Sequence, residues 1–143
     1  MTVKTILARK GTDVVTIDPA ATVAAATTLL NERGIGAVVV TGTEGRTIGI
    51  VSERDIVKAL GARGAGVLDV PVSEIMTRKV VTCAQHDTIG ELMQTMTEGK
   101  FRHVPVVEQD RLVGIVSIGD VVKSRLEQME QESNALRDYI RTA

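Results

Sequence analysis

Apolar and polar positions along the chain pass through the same series of patterns twice. Each copy opens on a short β-branched run, at residues 14–17 and again at 80–83, which predicts a strand. A threonine follows, Thr22 or Thr88, whose hydroxyl suits the start of a helix because it can accept a hydrogen bond from an early unpaired amide. The helices so begun end near Arg33-Gly34 and Glu98-Gly99, where glycine supplies the stop. Two strands joined by a polar turn come next, 37–41 and 47–51 around Gly42-Thr43-Glu44-Gly45, then 103–107 and 112–116 around Gln109-Asp110. That pattern is a hairpin in each copy. A last helix starts near Glu53 or Ile118 and is expected to carry Ile56, Val57 and Leu60, or Val121, Val122 and Leu126, on its inner side. Each copy reads β-α-β-β-α, so the fold class is α/β of the α+β kind.

The copies are related by residue identity as well as by pattern. Val14-Val15-Thr16 recurs as Val80-Val81-Thr82, and the offset of 66 persists through Thr22/Thr88, Glu32/Glu98, Val38/Val104 and Val40/Val106. After a one-residue indel in the turn the offset becomes 65, and seven of the ten positions from 49 to 58 are identical to those from 114 to 123. A fainter echo precedes each copy, Val3-Lys4-Thr5-Ile6-Leu7 against Val72-Ser73-Glu74-Ile75-Met76. Two copies do not make a solenoid; they predict two halves packed about a pseudo-twofold axis around a shared core, since about 65 residues bury little core alone. Gly61-Ala62-Arg63-Gly64-Ala65-Gly66 between them reads as a mobile linker, because no strand precedes it as a dinucleotide-binding glycine turn requires. The chain thus divides into a first unit with a leading helix at 1–62, a linker at 63–71, a second unit at 72–126 and a helical extension at 127–143. In that extension Leu126, Met129, Ser133, Leu136 and Ile140 form one seam at spacings of 3, 4, 3 and 4, suited either to the chain's own body or to a second subunit.

Composition narrows the function. With 17 basic against 18 acidic side chains in 143 residues, the chain has no strong field to gather a nucleic acid polymer or an anionic membrane. Phe101 and Tyr139 are its only aromatics, so stacking of successive bases is not expected either. No run approaches the roughly 20 apolar residues of a membrane-spanning helix. The single Cys83 forms no internal disulfide, and a cytoplasmic protein is the expectation. Cys83, His86 and Asp87 lie close together but lack a recognisable orienting group or oxyanion loop, so no catalytic residue is expected. His86 and His103 belong to different elements, so no metal site is expected.

The chemistry that repeats is Gly-x-x-Ser-x-x-Asp, at Gly49/Ser52/Asp55 and Gly114/Ser117/Asp120. At a strand-to-helix junction it sets a carboxylate and a hydroxyl beside free helix amides, a group able to hold a ribose diol and phosphate oxygens. Taken alone, the same residues read first as a helix cap. With the hairpins, the opening Val-x-Thr and the string Lys100-Phe101-Arg102-His103-Val104-Pro105-Val106, the chain resembles a tandem pair of cystathionine-β-synthase-type (CBS) domains, a Bateman module, over about residues 1–126. That resemblance implies a non-catalytic regulatory module that binds AMP, ADP, ATP, NAD(H) or S-adenosylmethionine between its units, pairs into a homodimer and acts on an effector the sequence does not identify.

By the same resemblance, nucleotide contacts fall to Ser117, Ile118, Gly119 and Asp120 in one cleft and to Ser52, Glu53, Arg54 and Asp55 in the other. Arg102 and His103 are expected to hold an AMP-like phosphate in the Asp120 cleft, faced by Thr12, Asp13, Ile35 and Gly36. Copy one has the uncharged Ile35-Gly36-Ala37 in their place, so a monophosphate in the Asp55 cleft would need Arg54 or residues borrowed from copy two. The Asp55 cleft, faced by Val81, is therefore expected to be empty or to take a longer ligand such as NAD(H). The competing reading is a structural interaction module whose clefts bind nothing.

Overall fold

The computed structural model describes residues 1–142. In chain order they form helix α1 (Val3–Lys10), strand β1 (Thr16–Ile17), α2 (Val23–Arg33), β2 (Ala37–Thr41), β3 (Thr47–Ser52), α3 (Glu53–Arg63), α4 (Ile89–Gly99), β4 (His103–Glu108), β5 (Arg111–Ser117) and α5 (Ile118–Thr142). Strand β2 pairs parallel with β1 and antiparallel with β3, and β4 pairs antiparallel with β5. The repeat extends to the irregularities, because register shifts fall between Val40 and Thr41 and between Val106 and Val107.

The strand expected at 80–83 shrinks to one bridge between Cys83 and Val106. Proline explains the difference. In the first half the Val39 amide donates to the Val15 carbonyl at 3.3 Å. Its counterpart in the second half is Pro105, which has no N–H to give. Thr22 and Thr88 cap α2 and α4 through the amides of Ala25 and Glu91, at 3.0 and 3.1 Å. Gly34 closes α2 with a left-handed φ of 61°, but the left-handed residue closing α4 is Lys100 (φ 58°), one place beyond the expected Gly99. Gly99 instead leaves room for the Phe101 ring.

The inner face of the closing helices also differs from expectation. Ile56, Ala59, Val121 and Ser124 are buried, while Val57, Val122 and Leu126 are exposed. The phase set where Ser52 ends β3 turns Ile56 and Ala59 to the sheet. The glycine-rich stretch is anchored: α3 runs through Gly61 to Arg63, and a 3₁₀ helix over Ala65–Asp69 buries Val67.

Two cores form, and each half completes the other's. Val23, Ala26, Leu30, Val38, Val40, Val51 and Ile56 enclose Val72 and Met76, which precede the second half in sequence. Ile89, Leu92, Met96, Val104, Val106, Val116 and Val121 enclose Val3, Ile6 and Leu7 of α1. The single shared core expected from the repeat is thus replaced by exchange of leading segments. Matching backbone bonds clasp each one, Val72 N to Ala21 O at 2.8 Å and Val3 N to Asp87 O at 2.9 Å. The signature glycines admit these segments. A Cβ on Gly114 would come within 2.7 Å of Leu7, and one on Gly49 would strike Met76.

Helix α5 spans 25 residues and leaves the body after its first turns; every residue from 129 to 142 is exposed. Its apolar seam faces away from the chain's own body, since Val122, Leu126, Met129, Leu136 and Ile140 are exposed while Val121 and Ser124 are buried. Among the described residues no helix is long and apolar enough to cross a membrane.

Candidate functional site

Strand β3 runs straight into α3, and β5 into α5, so each signature Asp stands in the first helical turn three residues after its Ser. In both copies the pair forms a reciprocal cap. The Ser52 amide donates to Asp55 Oδ2 at 2.8 Å and the Asp55 amide to Ser52 Oγ at 3.3 Å. The Ser117 amide donates to Asp120 Oδ2 at 2.9 Å and the Asp120 amide to Ser117 Oγ at 3.2 Å. Both carboxylates therefore have structural work, which uses part of a capacity of about four lone pairs each.

Their further partners differ. Asp55 Oδ1 accepts a bond from the Thr77 hydroxyl at 3.1 Å, and Thr77 is itself bridged to Ile50 of β3 by two backbone bonds of 2.9 and 3.0 Å. Asp120 Oδ2 is taken by the Lys10 ammonium at 2.7 Å, which also donates to the Ile115 carbonyl at 3.0 Å. Ile115 is the counterpart of Ile50, so Lys10 occupies the second half's version of the Thr77 bridge. Burial alone pushes the Asp120 carboxyl up, but the bonds from Lys10 and Ser117 outweigh it and hold the group below the usual carboxylate range.

The two clefts are correspondingly unequal. Beside Asp120 lies a space of about 100 Å³ between α1 and α5, bounded by Arg9, Lys10, Lys123 and Glu127. Beside Asp55 lies a cleft of about 380 Å³ to which both halves contribute. Gly36, Ile50, Ser52, Glu53, Arg54, Asp55 and Lys58 form its first-half wall. Thr77, Lys79, Val80, Val81, Lys100, Phe101, Arg102 and His103 form the facing wall. Five basic side chains, Arg54, Lys58, Lys79, Lys100 and Arg102, here meet two carboxylates, Glu53 and Asp55. Arg54 and Lys58 balance the two carboxylates, and the cationic excess comes from Lys79, Lys100 and Arg102 of the second half.

Several residues expected beside Asp120 line the Asp55 cleft or neither space. Arg102 and His103 line the Asp55 cleft and not the Asp120 space, because β4 begins beside Gly36; a Cβ there would meet the His103 ring at 3.2 Å. Gly36 joins them instead of facing Asp120. Thr12, Asp13 and Ile35 line neither cleft, and Thr12 and Asp13 are exposed just beyond the α1 end that Lys10 pins down. Ser117, Ile118 and Gly119 form the turn into α5 without lining either space; the Ile118 amide is spent on the Arg102 carbonyl at 2.8 Å. Val81 lines the Asp55 cleft. Lys10, Thr77 and Lys79 were missed, although Arg9-Lys10 after Leu7 and Arg78-Lys79 after Met76 carry the echo of the leading segments further.

His103 is held below its ordinary pKa, first by burial and then by Lys10 and Arg102, against the opposing pull of Glu53 and Asp120. It stands neutral at pH 7, one donor and one acceptor at the junction of the two halves. The Cys83 thiol is pushed up to about 12 by burial and by Asp87 and Glu108, which keeps it protonated and a poor nucleophile. His86 is exposed, 3.8 Å from Asp87.

The family model of the CBS domain matches the chain twice, over residues 3–62 and 72–127. A protein of Acidianus ambivalens is 34% identical over 117 residues, covering 81% of this chain and 70% of its own. The crystal structure of a CBS-domain protein from Agrobacterium tumefaciens is 52% identical, with a TM-score of 0.85 over 87% of this chain and 92% of the other. A CBS-domain pair solved in complex with methylthioadenosine and S-adenosyl-L-methionine is 28% identical, with a TM-score of 0.78 over 91% of this chain and 98% of the other.

Proposed function

The chain belongs to the CBS-domain family as a tandem pair, and from that premise we propose that it is a non-catalytic adenine-nucleotide sensor whose main ligand lies in the Asp55 cleft. The observation that carries this is the composition of one 380 Å³ space. A carboxylate with two hydroxyls, Asp55 with Ser52 and Thr77, suits a ribose diol. Val80, Val81 and Ile50 offer aliphatic surface for a base, and the cations opposite suit phosphates. The solved pair that holds adenosine-containing ligands supports the class of ligand. The cationic excess favours AMP, ADP, ATP or NAD(H) over an uncharged nucleoside, and moves the preferred site from Asp120, where Lys10 already satisfies the carboxylate, to Asp55.

Because the cleft has a wall from each half, a ligand shifts their relative orientation by no more than its difference in affinity for the two arrangements. A homodimer is the form in which a separate effector reads that shift. Mass spectrometry of nucleotides released from the purified protein, followed by calorimetric titration with AMP, ATP and NADH, tests the reading. An adenine nucleotide bound with micromolar affinity supports it; no released nucleotide and no heat with any of the three overturns it.

A further inference from the structure

The exposed seam of α5 continues one residue row earlier than the repeat suggests. Leu126, Ser133 and Ile140 form one row of a seven-residue repeat and Val122, Met129 and Leu136 the other, with the buried Val121 and Ser124 on the opposite side. Residues 129–142 stand clear of the body over about 20 Å. A lone helix of that length is marginal in water. A partner of the same shape and apolar pattern is available in a second copy of the chain.

Flanking charges decide the direction of such a pair. Lys123, Glu130 and Arg137 border the seam on one side, and Arg125, Glu132 and Tyr139 on the other; the five charged residues are all exposed. In a parallel, in-register pair the residue before one Leu/Ser row position faces the residue five places later on the partner. Arg125 then meets Glu130, and Glu132 meets Arg137, each twice by symmetry. Antiparallel alignment at greatest overlap puts Glu130 on Glu130, Glu132 on Glu132 and Lys123 near Arg137. Like charges so placed repel.

We propose that the α5 helices of two chains form a parallel, in-register coiled coil along Val122 to Ile140, with Ser133 against Ser133 at its centre. This rests on the homodimer proposed above and goes further by fixing its direction. The two bodies then flank the first turns of the coil, related by its twofold axis, so equivalent clefts of the two chains sit at the same level.

The test is carried out on the full chain. Oxidation of a Ser133→Cys variant is expected to give a disulfide-linked dimer, with the wild-type chain and its half-buried Cys83 as background. Sedimentation of Glu132→Arg and of Arg137→Glu is expected to show dimer dissociation constants raised about tenfold, and the double exchange to restore pairing. A monomeric wild-type chain overturns both the homodimer and the coil. A dimer in which Ser133→Cys stays unlinked, or in which the double exchange of Glu132 and Arg137 restores nothing, overturns only the parallel direction.

Discussion

The Lys10 ammonium sits 2.7 Å from Asp120 Oδ2, filling the place in the second half that the Thr77 hydroxyl takes beside Asp55, 3.1 Å away, in the first. Two residues from non-equivalent positions of the leading segments thus distinguish a small space of about 100 Å³ from a cleft of about 380 Å³. Replacing Lys10 by Met is expected to raise the calorimetric stoichiometry from one nucleotide per chain toward two, since it keeps the stem and removes the charge that competes for Asp120. An unchanged stoichiometry would show that Lys10 does not close the second space.

Asp55→Ala should weaken nucleotide binding about 10- to 100-fold, the effect of removing hydrogen bonds to a charged group. It should also cost about 0.5–2 kcal/mol of stability through loss of the cap. Ser52→Ala separates the two effects: it removes a cap acceptor and one hydroxyl but leaves the carboxylate, so for a similar loss of stability its affinity should fall less than that of Asp55→Ala. Parallel chemical denaturation and titration of both variants read this out.

Lys100 holds a left-handed backbone with φ 58° at the position where the first half has Gly34. Its side chain lines the Asp55 cleft. Lys100→Gly is expected to stabilise the fold by about 0.5–1 kcal/mol while lowering affinity for a phosphate-bearing ligand. A melting temperature that falls, or an unchanged affinity, contradicts this account of why lysine stands there.

His103, held neutral in the free protein, should take up a proton when phosphate enters beside it, because the anion favours the charged ring. Affinity for AMP should therefore rise as pH falls from 8 toward 6 relative to a His103→Gln variant measured in parallel. The sign reverses for folding. A histidine with a lowered folded pKa contributes stability above its unfolded value near 6.5, and that stability is lost as pH falls below it. Ligand-free His103→Gln should accordingly lose less stability than wild type between pH 7 and 5.

Leu7→Ala removes a side chain that lies against Gly114 in the second core. It should cost about 2–5 kcal/mol, and Gly114→Val about 1–3 kcal/mol by overfilling the same contact. Amide exchange is the decisive measurement: protection should drop first in α4, β4 and β5, more than 80 residues away in sequence, and not in the neighbouring β1 and α2.

The repeat made the fold legible because identical local patterns must find equivalent places. Both threonine caps and both hairpins follow from it. It hid what breaks the symmetry. Pro105 in place of Val39 removes one strand, and Lys100 in place of Gly34 puts a cation where only a turn was expected. The site was legible as chemistry but not as an assignment. Arg102 and His103 share Asp120's half of the sequence, and only the fold shows that the strand carrying them opens toward Gly36 and Asp55. Side chains that reach from one half into the other leave no trace in spacing, apart from the basic pair that ends each leading segment.

The exchanged segments make the covalent halves different from the cooperative ones. A cut in the glycine-rich stretch near residue 64 would release two fragments, neither of which contains a complete core. The first lacks Val72 and Met76, the second Val3, Ile6 and Leu7. Separated, each exposes the apolar surface its missing piece covered; mixed, they restore both cores by reassociation. Unfolding of the intact chain should then be one transition, with no state in which half of the molecule stands while the other melts.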